Sequence, residues 1–123
     1  MHRNIAAFGV ALCATVAACG GDNGYGSGPA PMPDPVVTAA TVRATPSIQF
    51  TPATVTLAAG GTITFAFESV PHNVYFDNAP TGAPANVTTP STNTTITRTF
   101  AAKGTFAYNC HLHPGMSGTV IVQ

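Results

Sequence analysis

Hydrophobic and polar residues alternate along most of the chain that follows residue 45. In the run 62–67, Ile63, Phe65 and Phe67 share one face, and the other face is mostly Thr. The same period of two recurs in other short runs, namely Val55 and Leu57, Val74 and Phe76, Ile96 and Phe100, Phe106 and Tyr108, and Val120 and Val122. No segment shows the 3.6-residue period of an amphipathic helix. Six or seven strands with one buried face each predict an all-β fold, a small two-sheet Greek-key β-sandwich.

Turn residues divide these runs. The sequence Ala59-Gly60-Gly61 predicts a hairpin turn, and Lys103-Gly104 predicts another. The range 77–93 is interrupted by three prolines and a glycine, so we predict one long irregular segment there. The folded domain is expected to occupy residues 45–123.

The chain before this domain has the pattern of a secreted, anchored protein. Residues 1–18 combine an N-terminal positive charge with an apolar run too short to span a bilayer, which predicts a signal peptide. The run ends in Val16-Ala17-Ala18-Cys19, which resembles the lipobox of bacterial lipoproteins and implies lipidation at Cys19. An ordinary cleavage site before a cysteine is the alternative. The Gly- and Pro-rich range 19–44 predicts a tether, and it stays open whether residues 36–42 form a first edge strand.

The charge content excludes several classes of function. Only 7% of the residues are charged, and four Lys and Arg balance four Asp and Glu. A neutral chain without basic runs is not expected to bind nucleic acid, nor to bind a membrane by charge. The three cysteines are too few for a disulfide scaffold, and Cys13 lies in the predicted signal peptide. Paired carboxylates, Gly-rich phosphate loops and a Ser-His-Asp pattern are all missing, so an enzyme is not expected.

Four residues near one end of the predicted sandwich carry ligand chemistry. Cys110 shares parity with Phe106 and Tyr108, so its sulfur is expected to leave the strand on the core side. A tight turn at 114–115 would return His113 and Met116 to the same end, and His72 shares the inward parity of Val74. One thiolate, two imidazoles and one thioether form the ligand set of a blue copper site with a weak axial Met. The predicted cofactor is one copper ion that cycles between Cu(I) and Cu(II).

These residues resemble a known family. The sequence Val70-Pro71-His72-Asn73, followed by Cys110-x-x-His113-x-x-Met116, is similar to the type 1 copper proteins called cupredoxins, the plastocyanin/azurin family. The short spacing from Cys to Met is most similar to that of amicyanin. The resemblance implies a cupredoxin fold and an electron-transfer function.

The resemblance also implies a role for each residue. His72, Cys110 and His113 would be equatorial ligands, with Met116 axial. Asn73 would donate its backbone N–H to the Cys110 sulfur and brace the ligand loop. The ring edge of His113, surrounded by apolar residues that include Leu112, Pro114 and Pro71, would be the port where redox protein partners dock briefly. The family often has Ser or Thr after the Cys, whereas this chain has His111, which parity places on the surface; a second metal contact there is an alternative.

The predicted protein is thus a monomeric electron carrier, lipid-anchored in the bacterial cell envelope and facing the periplasm or the exterior. An envelope protein that delivers or buffers copper without redox turnover is the alternative. A metal-free sandwich used in surface adhesion is a third hypothesis.

Overall fold

The computed structural model describes residues 31–123, and all of their regular structure is strand. The strands are β1 (Val37–Thr45), β2 (Gln49–Thr51), β3 (Thr54–Phe67), β4 (His72–Val74), β5 (Val87–Ser91), β6 (Thr94–Phe100), β7 (Gly104–Asn109) and β8 (Ser117–Val122). Within this range there is no helix long and apolar enough to cross a membrane. The predicted all-β, two-sheet fold is confirmed.

The long strand β3 organises the larger sheet. Its first part, residues 54–57, pairs in parallel with β8, which continues to β7. Its second part, residues 61–67, pairs antiparallel with β6 and lies beside the parallel strand β1. The strands β4 and β5 form a separate two-stranded sheet. A bridge between Tyr75 and Asn109 joins the end of β4 to the end of β7, through backbone hydrogen bonds of 2.9 and 3.0 Å. This junction brings two distant parts of the chain to one end of the domain.

The predicted hairpin at residues 59–61 is wrong. β3 runs through these residues without reversing, because both of its parts pair with β1, whose register shifts between Val37 and Ala39. Gly60 has a φ of 83°, which favours glycine. A side chain at Gly61 would lie 2.8 Å from the carbonyl oxygen of Thr38. The two glycines therefore serve a bend and a close strand contact rather than a hairpin.

The structure shows that residues before the predicted domain boundary form a strand, a question that the sequence left open. Residues 37–45 form β1 and pair with β3, so the sheet begins earlier than the predicted boundary at residue 45. Val42 and Ala44 are fully buried, because alternate residues of β1 face the core. The last part of the predicted tether is therefore a structural strand. The predicted signal peptide and Cys19 lie outside the described residues.

The predicted irregular segment 77–93 is partly wrong as well. Its last part forms β5, which contains Pro90 and pairs only with β4. Proline is tolerated there because β5 is an edge strand, where an N–H can be missing without breaking a ladder. The earlier part, residues 77–86, is irregular as predicted. Arg98 of β6 holds it, since its Nε donates to the Ala85 carbonyl at 2.6 Å and its Nη2 to the Asn86 carbonyl at 3.1 Å.

The core follows the predicted alternation. Ile63, Phe65 and Phe67 are buried on one face of β3, and the alternating residues of β7 and β8 are buried with them. Aromatic rings meet edge to face beneath the β4–β7 junction, with Tyr108 centred 4.9 Å from Phe50 and 5.3 Å from Phe65. Such contacts hold the rings at favourable angles, and the packed rings support the residues of the β4–β7 junction.

Candidate metal centre

Three of the predicted ligands converge at the β4–β7 junction. His72 starts β4, Cys110 directly follows β7, and His113 lies in the loop between β7 and β8. Their potential ligand atoms all lie within 4.8 Å of one another. The Cys110 sulfur is 3.6 Å from Nδ1 of His113 and 3.9 Å from Nδ1 of His72, and the two Nδ1 atoms are 3.2 Å apart. One ion could therefore bind all three side chains through these atoms.

His72 is fixed in the form that binds metals. Its side chain is fully buried, and its Nε2 lies 3.0 Å from the carbonyl oxygen of Thr45, which can only accept a hydrogen bond. Nε2 therefore carries the proton, and the lone pair of Nδ1 faces the other two ligands. Burial lowers the pKa of His72 below 6.5, although the bond to Thr45 and the nearby Glu68 oppose the shift. A neutral imidazole with a free Nδ1 is ready to coordinate.

The loop after β7 is closed by its own backbone. The N–H of Cys110 donates to the Met116 carbonyl at 2.9 Å, and the N–H of Met116 donates to the His113 carbonyl at 3.1 Å. Gly115 allows the reversal because it adopts a φ of 84°. Cys110 and Met116 are both almost fully buried. The predicted tight turn thus places the thiol and the thioether at the same end of the core.

Asn73 braces this loop through its side chain. Its Oδ1 accepts a hydrogen bond of 2.8 Å from the N–H of His111, next to Cys110. Asn73 is only 4% exposed, so its side of this partly buried bond is shielded from water. The bond predicted from the Asn73 backbone N–H to the Cys110 sulfur stays a prediction.

His111 lies on the surface side of the loop, as parity predicted. Its ring stacks on Tyr75 with centroids 3.7 Å apart and planes inclined by 10°. Its Nε2 contacts Oδ2 of Asp77 at 2.5 Å. The hydrogen bond gives this imidazole a partner outside the ligand cluster. The sequence analysis missed both partners, although period two places Tyr75 and Asp77 together on the face opposite Val74 and Phe76.

The surface over the cluster is apolar. His113 is partly exposed, its sequence neighbours Leu112 and Pro114 are exposed, and so is Pro71, which precedes His72. Ile48, which is 45% exposed, lines a shallow groove together with Met116. The sequence analysis did not find Ile48, because a turn residue shows no alternation. A ligand cluster under an apolar surface is open to another protein but offers little to a charged small molecule.

The donor set fits copper. Thiolate and thioether are soft ligands that favour Cu(I), while imidazoles also suit Cu(II). Within residues 31–123, Cys110 is a buried thiol without a disulfide partner, as a ligand requires. Two imidazoles, one thiol and one thioether leave no open position for a water molecule, which hydrolytic metal chemistry needs. Together His72, Cys110, His113 and Met116 supply the ligands of a type 1 copper site.

Comparisons with known proteins agree with this chemistry. Amicyanin-alpha of Methylorubrum extorquens is 39% identical over 72 residues, which are 56% of this chain and 60% of that protein. Plastocyanin of Scenedesmus fuscus is 33% identical over 87 residues, which cover 63% of this chain and 89% of that protein. The solved structure of a reduced amicyanin mutant superposes with a TM-score of 0.60 at 27% identity, over 70% of this chain and 83% of the other.

A match to a family model covers all eight strands of the domain. The model of copper binding proteins of the plastocyanin/azurin family matches residues 37–123, which run from the first residue of β1 to the end of the chain. Because the match spans most of the sequence and the family's metal ligands meet at one end of the sandwich, the chain belongs to the plastocyanin/azurin family of copper-binding proteins.

Proposed function

We propose that this protein is a mononuclear type 1 copper electron carrier. The observation that carries the proposal is the convergence of His72, Cys110 and His113 within 4.8 Å, at the end of a rigid β-sandwich. When bound there, copper supplies a one-electron couple, Cu(II) to Cu(I). The protein's contribution is to hold the ligands, exclude water and present one ligand edge to a partner.

The ligands are divided into strong and weak. His72, Cys110 and His113 would hold the copper strongly, and Met116 would bind it weakly through its thioether. His72 is fixed by Thr45, and the loop of the other three is closed by its own hydrogen bonds. Because these hydrogen bonds join protein groups to one another, the ligand geometry is set by the fold rather than by the preference of one oxidation state. Little atomic motion then accompanies electron transfer, which keeps its barrier low.

The electron is proposed to enter and leave through His113. Cys110 and His72 are 4% and 0% exposed, while His113 reaches the surface among Pro71, Leu112 and Pro114. A small neutral apolar face suits transient contact with another redox protein. With only 7% charged residues, electrostatic steering is weak, so association rates should depend little on salt.

Electron self-exchange tests this proposal without a known partner. NMR line broadening in mixtures of the Cu(I) and Cu(II) forms should report rapid exchange that varies little with ionic strength. The variant Leu112→Lys should slow exchange, because two like charges then meet when two molecules dock at His113. The matched control Lys103→Leu changes a residue in the turn at the opposite end of β7 and should leave the rate unchanged. Slow self-exchange in the wild type, or equal self-exchange rates in the two variants, would reject His113 as the site of electron entry and exit.

The burial of the ligands favours a carrier over a copper-delivery protein. Release to an acceptor needs ligands that can be reached and replaced one at a time, whereas three of the four here are at most 4% exposed. Rapid transfer of Cu(I) to a competing chelator would support delivery instead. We expect slow transfer, together with reversible voltammetry of the bound copper.

The place of action is proposed from the N-terminal sequence. Cleavage before Cys19 and lipidation of its thiol would anchor a monomeric domain in the bacterial cell envelope, with residues 20–36 as the spacer. Two or more acyl chains give stable anchoring. The expressed protein should partition into the detergent phase in Triton X-114, and Cys19→Ser should move it to the aqueous phase. If the wild type and Cys19→Ser partition equally, the proposed lipid anchor is rejected and only the signal peptide remains.

A further inference from the structure

One ion pair lies beside the buried ligand His72. Glu68 follows the end of β3, in the loop that leads to His72, and its Oε1 lies 2.5 Å from Nη2 of Arg43 on β1. The side chains differ in exposure: Glu68 is 27% exposed and Arg43 is 62% exposed. The Glu68 Oε1 atom is itself shielded from solvent. The carboxylate is therefore the more buried half of the pair.

The backbone fixes this carboxylate near the metal ligands. The N–H of Glu68 donates to the Ala44 carbonyl at 3.1 Å, and the Glu68 carbonyl accepts from the N–H of Asn93 at 2.9 Å. The next residue of β1, Thr45, holds Nε2 of His72. Successive residues of one strand thus anchor both Glu68 and the ligand. The position of the charge relative to His72 is set by the sheet and not by a mobile side chain alone.

Few other charges could mask the effect of this pair. The remaining charged residues of the described range are Asp34, Asp77, Arg98 and Lys103. Asp77 is engaged by His111. Arg98 is bound to carbonyl groups of the loop 77–86, and Lys103 lies in the turn at the far end of β7. Glu68 is therefore one of two carboxylates near the ligands, and it is the one held by the strand that anchors His72.

We propose that Glu68 and Arg43 tune the reduction potential of the copper centre, with the carboxylate stabilising Cu(II) and the guanidinium limiting that effect. The inference rests on the proposed electron-transfer function. The oxidised centre carries one more positive charge than the reduced centre, so a nearby anion stabilises it more.

Voltammetry of copper-loaded variants tests the inference. Glu68→Gln should raise the midpoint potential, and Arg43→Gln should lower it, because each removes one charge of the pair. The matched controls are Asp34→Asn and Lys103→Gln, which make the same changes in net charge at exposed sites away from the cluster. Salt should reduce the effect of Arg43→Gln more than that of Glu68→Gln, since Arg43 is the more exposed partner.

The outcomes separate this inference from the proposed function. Shifts of opposite sign that exceed those of the controls support the inference. Shifts no larger than those of the controls overturn it, provided that the visible spectrum shows an intact copper site. If Glu68→Gln fails to fold, the exposed substitution Arg43→Gln still decides, through whether it lowers the midpoint potential by more than Lys103→Gln does. A wild-type protein without a reversible copper couple would instead reject the electron-transfer function itself.

Discussion

Removing the Asn73 side chain should loosen the ligand loop. In Asn73→Ala the N–H of His111 loses its acceptor at 2.8 Å, at a position where Asn73 is 4% exposed. A buried donor left without a partner costs about 1–3 kcal/mol, and for this partly buried N–H we take the middle of that range. A loss of ~2 kcal/mol lowers the folded-to-unfolded ratio roughly 30-fold. For a domain of this size it lowers Tm by about 8–16 °C.

Thermal unfolding of the copper-free protein measures this cost, because no metal–ligand bonds then contribute. The control is Thr97→Ala, which removes the 3.2 Å hydroxyl contact with Thr64 on the exposed face of β6. That change should cost less than about 0.5 kcal/mol, since water replaces the lost partner. Equal melting temperatures for Asn73→Ala and the wild type would refute the bracing role of Asn73.

Three further changes test other parts of the structure. Tyr108→Phe should be neutral or stabilising at pH 7 in chemical denaturation, because the Tyr108 hydroxyl is buried and has no hydrogen-bond partner among the described residues. Burial raises the pKa of Tyr108, so the folded state keeps this phenol protonated at a pH where the unfolded chain ionises it. The free energy of unfolding of the wild type should therefore fall as the pH rises above about 10. The Phe variant should show a smaller fall, and an identical fall in both proteins would contradict the burial of this phenol. Gly118→Ala would place a methyl group against the Tyr108 ring and should cost about 1–3 kcal/mol, so an unchanged Tm would be evidence against that packing. Arg98→Gln should speed hydrogen exchange and proteolysis in the loop 77–86 while the core exchanges as before, and equal protection would show that Arg98 does not hold the loop.

Local pattern was sufficient to predict the core and the ligand cluster. Period two correctly placed Phe65, Phe106 and Tyr108 inside, because one buried face is a property of each strand alone. The same parity argument brought Cys110 and His72 to the core side. The ligand loop was found because Cys, His and Met at short spacing have few other uses.

Features that depend on strand pairing were not predictable in the same way. The glycines at 60 and 61 have the composition of a hairpin turn, yet β1 pairs with both sides of them. The strand β5 has no alternation because it is an edge strand with Pro90, and its pairing with β4 defines it. The Thr45 carbonyl that fixes His72 is a backbone atom 27 residues away, so no residue type signals it.

The account depends on one copper ion bound by the Cys110 sulfur, and titration with Cu(II) tests this most directly. Absorption and EPR spectra should show one equivalent of copper, an intense visible thiolate-to-copper band and the narrow hyperfine splitting of a type 1 site. Cys110→Ser should abolish the band. A colourless complex with an ordinary copper spectrum, or a band that survives in Cys110→Ser, would contradict the account.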